Sequence, residues 1–183
     1  MEALKINSVE YYQNAKNLLK DENNDINIFA ISDITKISIN IGLGKYKNDS
    51  KARQEIENYI IAATGQKPKI VESRLSIAGF KLRKGEPVGI VVTLRGKKMR
   101  DFLINLVYLS LPRNRDFKGI KSTSFDSNYN SYSLGIESAS IFPLIGFDLA
   151  IPFGMQINIS FKNKDIKNKR FLELLNFPFV KNN

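Results

Sequence analysis

The chain has 183 residues, 43% of them hydrophobic and 25% charged, with a formal net charge of +10. That balance belongs to a folded chain and not to a disordered one, and the length is enough to bury a core without staples. Cysteine and histidine are both absent, which excludes disulfides, thiolate zinc sites, cysteine nucleophiles, the commonest general base and every Ser-His-Asp arrangement.

Residues 8–20 place Tyr11, Tyr12, Ala15, Leu18 and Leu19 at helical spacing, which predicts a first helix. The polar run 21–25 breaks it. From 36 to 43 the chain alternates, with Ile37, Ile39, Ile41 and Leu43 against Ser38 and Asn40, as a half-buried strand does. Asp49 or Ser50 caps a second helix that runs to about Ala63, with Ala52, Ile56, Tyr59, Ile60 and Ala63 inward. A turn at 64–68 leads to a short extended piece at 69–72.

Residues 73–87 are basic, with small residues at Ser73, Ser76, Ala78 and Gly79 and turn residues at Gly85 and Pro87, and small and polar residues do not pack a core. They predict a long protruding loop, of a length that is usually functional or disordered. A second strand, 88–95, alternates Val88, Ile90, Val92 and Leu94 against Thr93 and Arg95. A third helix follows Gly96, with Met99, Phe102, Leu103, Leu106, Val107 and Leu111 in one stripe and Pro112 as its stop. Then come a basic turn at 113–119, a strand at 132–136, an apolar edge or docked loop at 141–145, a strand at 155–162 and a last helix from Asp165 with Ile166, Phe171, Leu172, Leu174 and Leu175.

The order α-β-α-β-β-α-β-β-α has no strict βαβ alternation. It predicts an α+β fold in one domain over 1–183: a mostly antiparallel sheet, helices on one face, an open polar face and the protruding basic loop. Ser38, Asn40, Thr93, Arg95, Gln156, Asn158 and Ser160 share the open parity. No apolar run approaches the ~18–20 residues of a membrane span, so no membrane partner is expected.

The charge is lopsided. Residues 65–121 carry fourteen basic and four acidic side chains, an excess equal to that of the whole chain. A cationic surplus confined to one third of a sequence points to a polyanionic partner. Gly42-Leu-Gly-Lys45 lacks the spacing of a P-loop and the third glycine of a dinucleotide fingerprint, and reads as a plain turn. The pairs Asp101/Asp116 and Asp126/Glu137 are the candidates for acid–base work, and nothing in the sequence places either pair together. No metal site, cofactor or enzymatic activity is expected. Phe80 either stacks on a base or anchors its loop.

The segments Ser38-Ile-Asn-Ile-Gly-Leu-Gly44, Thr64-Gly-Gln-Lys-Pro68, Ser76-Ile-Ala-Gly-Phe-Lys-Leu-Arg83, Val92-Thr-Leu-Arg-Gly96, Leu111-Pro-Arg-Asn-Arg-Asp-Phe-Lys-Gly119, Ile141-Phe-Pro143 and Phe177-Pro-Phe179 occur in order. In this register, over about 8–181, the chain resembles the large-subunit ribosomal protein L-five family of bacterial and organellar type. The resemblance implies a structural protein that holds 5S rRNA in the central protuberance, approaches P-site tRNA with its long loop, meets a small-subunit head protein across an intersubunit bridge, and lies among other large-subunit proteins.

By position it assigns Asn40, Gln66 and Thr93, assisted by Arg95, to 5S rRNA. It turns Arg74, Lys81, Arg83 and Lys84 toward tRNA, and Arg113, Arg115 and Lys118 toward rRNA or the bridge. The likeness is weakest over 126–153: Ser127-Asn-Tyr-Asn-Ser131 has no glycine, and Leu144 stands where the family has an acidic residue. Lysine outnumbers arginine by 20 to 8, and the first residues lack signal or transit character. Divergence and composition together suggest a mitochondrial ribosome and an organelle-encoded chain, with the bacterial cytoplasm as the alternative. The competing function is an RNA-binding module or chaperone outside the ribosome.

Overall fold

A computed structural model describes residues 8–23, 31–47, 49–114, 117, 119–142 and 151–180. Its elements are α1 (Ser8–Asn23), β1 (Ile34–Gly42), α2 (Ser50–Thr64), β2 (Lys69–Glu72), β3 (Pro87–Leu94), α3 (Gly96–Ile104), β4 (Ser131–Ile136), β5 (Met155–Phe161) and α4 (Lys167–Leu174). This is the expected α+β order. The five strands form one sheet in the order β2-β3-β1-β5-β4, and every neighbouring pair is antiparallel.

Alternation decides which face is covered. Ile37, Ile39, Ile41, Ile90, Val92, Leu94, Ile157 and Ile159 are all buried, together with Met99, Phe102, Leu103 and Leu106 of the third helical segment. That segment is not uniformly α-helical. It loosens into π-helix over Asn105–Ser110 and tightens to 3-10 over Leu111–Arg113. Pro112 has no N–H for the carbonyl a turn earlier, and the regular ladder fails ahead of it.

The first and last helices are narrower on their buried side than the spacing suggests. Leu18 is 53% exposed and Ile166 64%. Ile166 precedes α4 as its N-cap residue, so its side chain is not yet on the helix's buried stripe. Asp49, rather than Ser50, caps α2: its carboxylate accepts from the N–H groups of Lys51 and Ala52 at 3.0 and 3.1 Å. Gly65 ends that helix at φ 65°, where a side chain would be strained.

Tyr12 joins α1 to β1. Its phenol donates to Asp33 Oδ1 at 2.7 Å and accepts from the Ile34 N–H at 3.0 Å. Burial, reinforced by the Asp33 carboxylate, pushes the phenol well above its ordinary pKa, and it stays neutral. Lys16 holds the same carboxylate at 2.8 Å. Replacing Tyr12 with Phe therefore leaves Asp33 paired but the buried Ile34 N–H without an acceptor. The expected cost is about 1.5 kcal/mol, read as a lower urea midpoint at unchanged m.

Candidate nucleic-acid interface

Among the described residues, nothing covers the side of the sheet opposite the core. Pairing register puts Thr93 beside Ser38, Ser38 beside Asn158, and Asn158 beside Ser133. One polar row thus crosses four strands and spans about 14 Å at the usual interstrand spacing. The adjoining row runs Lys69, Val91, Asn40, Gln156, Gly135. None of these residues is buried. The open polar face expected from parity is present.

Three of the residues singled out by resemblance come together here. Asn40 and Thr93 are diagonal neighbours on β1 and β3, about 7–8 Å apart in that arrangement. Gln66 arrives from the α2–β2 turn, and its Nε2 donates to the Thr93 carbonyl at 3.1 Å. Local chemistry puts it there. The Thr64 hydroxyl, buried, donates to the Ile60 carbonyl at 2.7 Å and accepts from the Gln66 N–H at 3.3 Å. Lys98 Nζ donates to the Gly65 carbonyl at 2.7 Å and ties α3 to the same turn. Arg95 follows β3 and is exposed.

The structure adds groups that spacing alone did not single out. Lys69 lies opposite Val91, and Lys36 opposite Ser160, so both belong to the open face. Lys36 was legible from its parity with Ser38 and Asn40; Lys69 needed the β2–β3 register. Asn158 Oδ1 is enclosed and has no hydrogen-bond partner. Beside Asn40 and Gln156 the face sinks into a hollow of about 660 Å³ whose lining includes Gly42, Gly89, Gly135 and Gly154.

The basic segment between β2 and β3 is an ordered irregular hairpin. The Ser73 N–H donates to the Glu86 carbonyl at 2.8 Å, and the Gly85 N–H donates to the Ser73 carbonyl at 2.9 Å, which prolongs the β2–β3 ladder. Ile77 and Leu82 exchange N–H donation to each other's carbonyls at 2.9 and 3.1 Å around a single turn of 3-10 helix, Ala78–Phe80. Lys81 closes that turn at φ 49°. Arg74, Lys81, Arg83 and Lys84 are all exposed. The segment has no core, as expected, but its backbone groups pair with one another.

Arg113 is exposed at the end of the 3-10 turn. Arg115 and Lys118, expected beside it, lie outside the described residues, as do Asp116 and Leu144. Asp101 accepts the Ser8 hydroxyl. Asp126 and Glu137 flank opposite ends of β4, about 20 Å of strand, too far to share a proton. Among the described residues there is no cluster of three metal-ligating side chains, and no helix is long and apolar enough to cross a membrane.

The family model described as ribosomal protein L5 matches residues 27–83, and the model of that ribosomal family's C-terminus matches 87–179. The chain belongs to the ribosomal protein L5 family. A large ribosomal subunit protein uL5 of Dehalococcoides mccartyi is 42% identical over 174 residues, covering 94% of this chain and 97% of that one. The uL5 of Thermus aquaticus is 43% identical over 157 residues, 85% and 86% of the two chains, and that of Gloeothece citriformis 41% over 173, 93% and 96%. All three are bacterial.

As an L5 family member the chain is a structural constituent of the large ribosomal subunit and not an enzyme. Its partners are therefore rRNA and other ribosomal proteins. The boundary between the two matched segments falls within the basic hairpin. Yet β1, from the first segment, lies between β3 and β5 of the second. The two family segments share one sheet.

Proposed function

We propose that the uncovered sheet face holds 5S rRNA in the central protuberance, through Asn40, Gln66 and Thr93 with Arg95 alongside. The observation that carries this is the anchoring of Gln66 on the Thr93 carbonyl. A flexible amide is fixed there on β3 before any RNA arrives, so little side-chain entropy remains to be lost on binding. The chain works as a single domain over 1–183, consistent with the shared sheet. Arg74, Lys81, Arg83 and Lys84 present the hairpin to P-site tRNA. Arg113, with Arg115 and Lys118, faces neighbouring rRNA or the small-subunit head across the intersubunit bridge, and 126–153 is the part of the chain least like the family. The ribosome is of bacterial type. A mitochondrial matrix location rests on composition and on that divergent segment, whereas the bacterial relatives favour a bacterial cytoplasm; detection of the chain in purified mitochondrial large subunits decides between them.

Thr93→Val tests the sheet assignment. Thr93 is on the open face, so the fold tolerates the change and the thermal midpoint stays within about 2 °C. Loss of one hydroxyl contact weakens 5S rRNA binding about fivefold, measured by filter binding at fixed salt. Wild-type affinity in that assay removes Thr93 from the site.

A further inference from the structure

The basic hairpin carries the two most open large hydrophobic side chains among the described residues, Phe80 at 76% exposure and Leu75 at 70%. A lone loop phenylalanine either anchors its loop or meets a partner. Exposure rules out the first use for Phe80. Anchoring is done by the backbone instead: the Ile77–Leu82 bridge, the left-handed Lys81 and the Ser76 hydroxyl, which accepts from the Lys84 N–H at 3.0 Å. Lys47, from the turn after β1, adds a strap. Its ammonium donates to the Lys81 carbonyl at 2.5 Å and stands 3.9 Å from a Glu86 carboxylate oxygen. The 3-10 turn that ends at Phe80 is thus held from both sides while the ring stays in water.

The chemistry around that ring selects its partner. Lys81, Arg83 and Lys84 follow it directly, and the nearest acidic residue in sequence, Glu86, faces Lys47. A partner must offer negative charge and a flat apolar surface within a few ångströms of each other. Nucleic acid does so, with phosphates beside base planes; an acidic protein surface offers carboxylates without the planes.

We propose that Phe80 stacks on the face of an unpaired or stack-end nucleobase, while the flanking cations hold that RNA's backbone. This deepens, and rests on, the RNA-facing reading of the hairpin. Arg83 and Lys84 supply attraction without regard to sequence, and Phe80 supplies the contact that requires an open base plane.

The test uses the full chain and deacylated tRNA as the RNA probe. The chain contains no tryptophan, so Phe80→Trp is a single fluorescent reporter. Phe80→Ala is expected to weaken binding about tenfold with the salt slope unchanged, because a stack carries no counterion release. Phe80→Trp is expected to keep the affinity and to be quenched on binding, and Phe80→Leu, apolar but without a ring, to resemble Phe80→Ala. Wild-type affinity of Phe80→Ala or Phe80→Leu, or an unchanged tryptophan emission, overturns the proposal. If Arg83→Ala/Lys84→Ala weakens binding while Phe80→Ala does not, the hairpin still meets RNA but Phe80 does not stack. If neither has an effect, the RNA-facing reading falls with it.

Discussion

The Arg83→Ala/Lys84→Ala double variant is expected to bind deacylated tRNA about thirtyfold more weakly than the wild type at 0.1 M salt. The figure follows from counterion release. Each phosphate contact adds about 0.7–0.9 to the slope of log K against log salt, so two lost contacts flatten it by about 1.5. Near 1 M salt those contacts contribute little, and one decade below that the two titrations have separated by the same 1.5 log units. Both side chains are exposed, and the hairpin is held by backbone bonds and the Ser76 hydroxyl. Folding should therefore be untouched, with a thermal midpoint equal to that of the wild type. Binding to 5S rRNA should keep its slope, because the residues assigned to it lie on the sheet and the turn beside it, outside the hairpin. An unchanged tRNA slope would take the hairpin out of the RNA contact. A flattened 5S slope would put the hairpin and the sheet face on the same RNA.

The division between sheet and hairpin was half legible before any coordinates. Strand parity is a strict two-residue period, so Ile37, Ile39 and Ile41 had to lie opposite Ser38 and Asn40 wherever the strand sat. The covered and open faces therefore followed from the amino acids alone. Helical parity is looser. Leu18 and Ile166 fit an apolar stripe by count but stand in solvent: Leu18 lies outside the buried side of α1, and Ile166 precedes the first turn of α4. What spacing cannot supply is register between strands far apart in sequence. Lys69 entered the polar face only when β2 was seen to pair with β3, and the enclosed Asn158 Oδ1 only when β5 was seen between β1 and β4. The hairpin was legible as a protruding basic loop, and its Leu75, Ile77 and Phe80 are exposed and build no core, but backbone pairing leaves no mark in composition. Ser73, through two backbone hydrogen bonds, and Ser76 and Lys47, through one each, lock it in ways that no periodicity announces.

Glycines in the hollow beside Asn40 make the sharpest separation of folding from binding. At Gly154 a Cβ would come within 2.9 Å of the Ile136 carbonyl oxygen and 3.0 Å of that of Glu137. Both obstacles are backbone, so neither can swing aside. Gly154→Val is expected to cost about 3 kcal/mol, the upper end for forcing extra atoms into a packed place. Urea unfolding would show it as a lower midpoint. Gly135 lines the same hollow from β4, but a Cβ there meets nothing within 4 Å, and its backbone is not left-handed. Gly135→Ala should fold as well as the wild type, or better by about 0.5 kcal/mol, because alanine has less unfolded-state freedom to lose. The fold thus gives no reason for glycine at 135, whereas RNA that approaches the β4–β5 edge closely does. Loss of 5S rRNA affinity in Gly135→Ala at undiminished stability would extend the contact from Asn40 and Gln156 across to β4. Undiminished affinity would confine it to the β1–β3 half of the sheet, where Gln66 and Thr93 already meet.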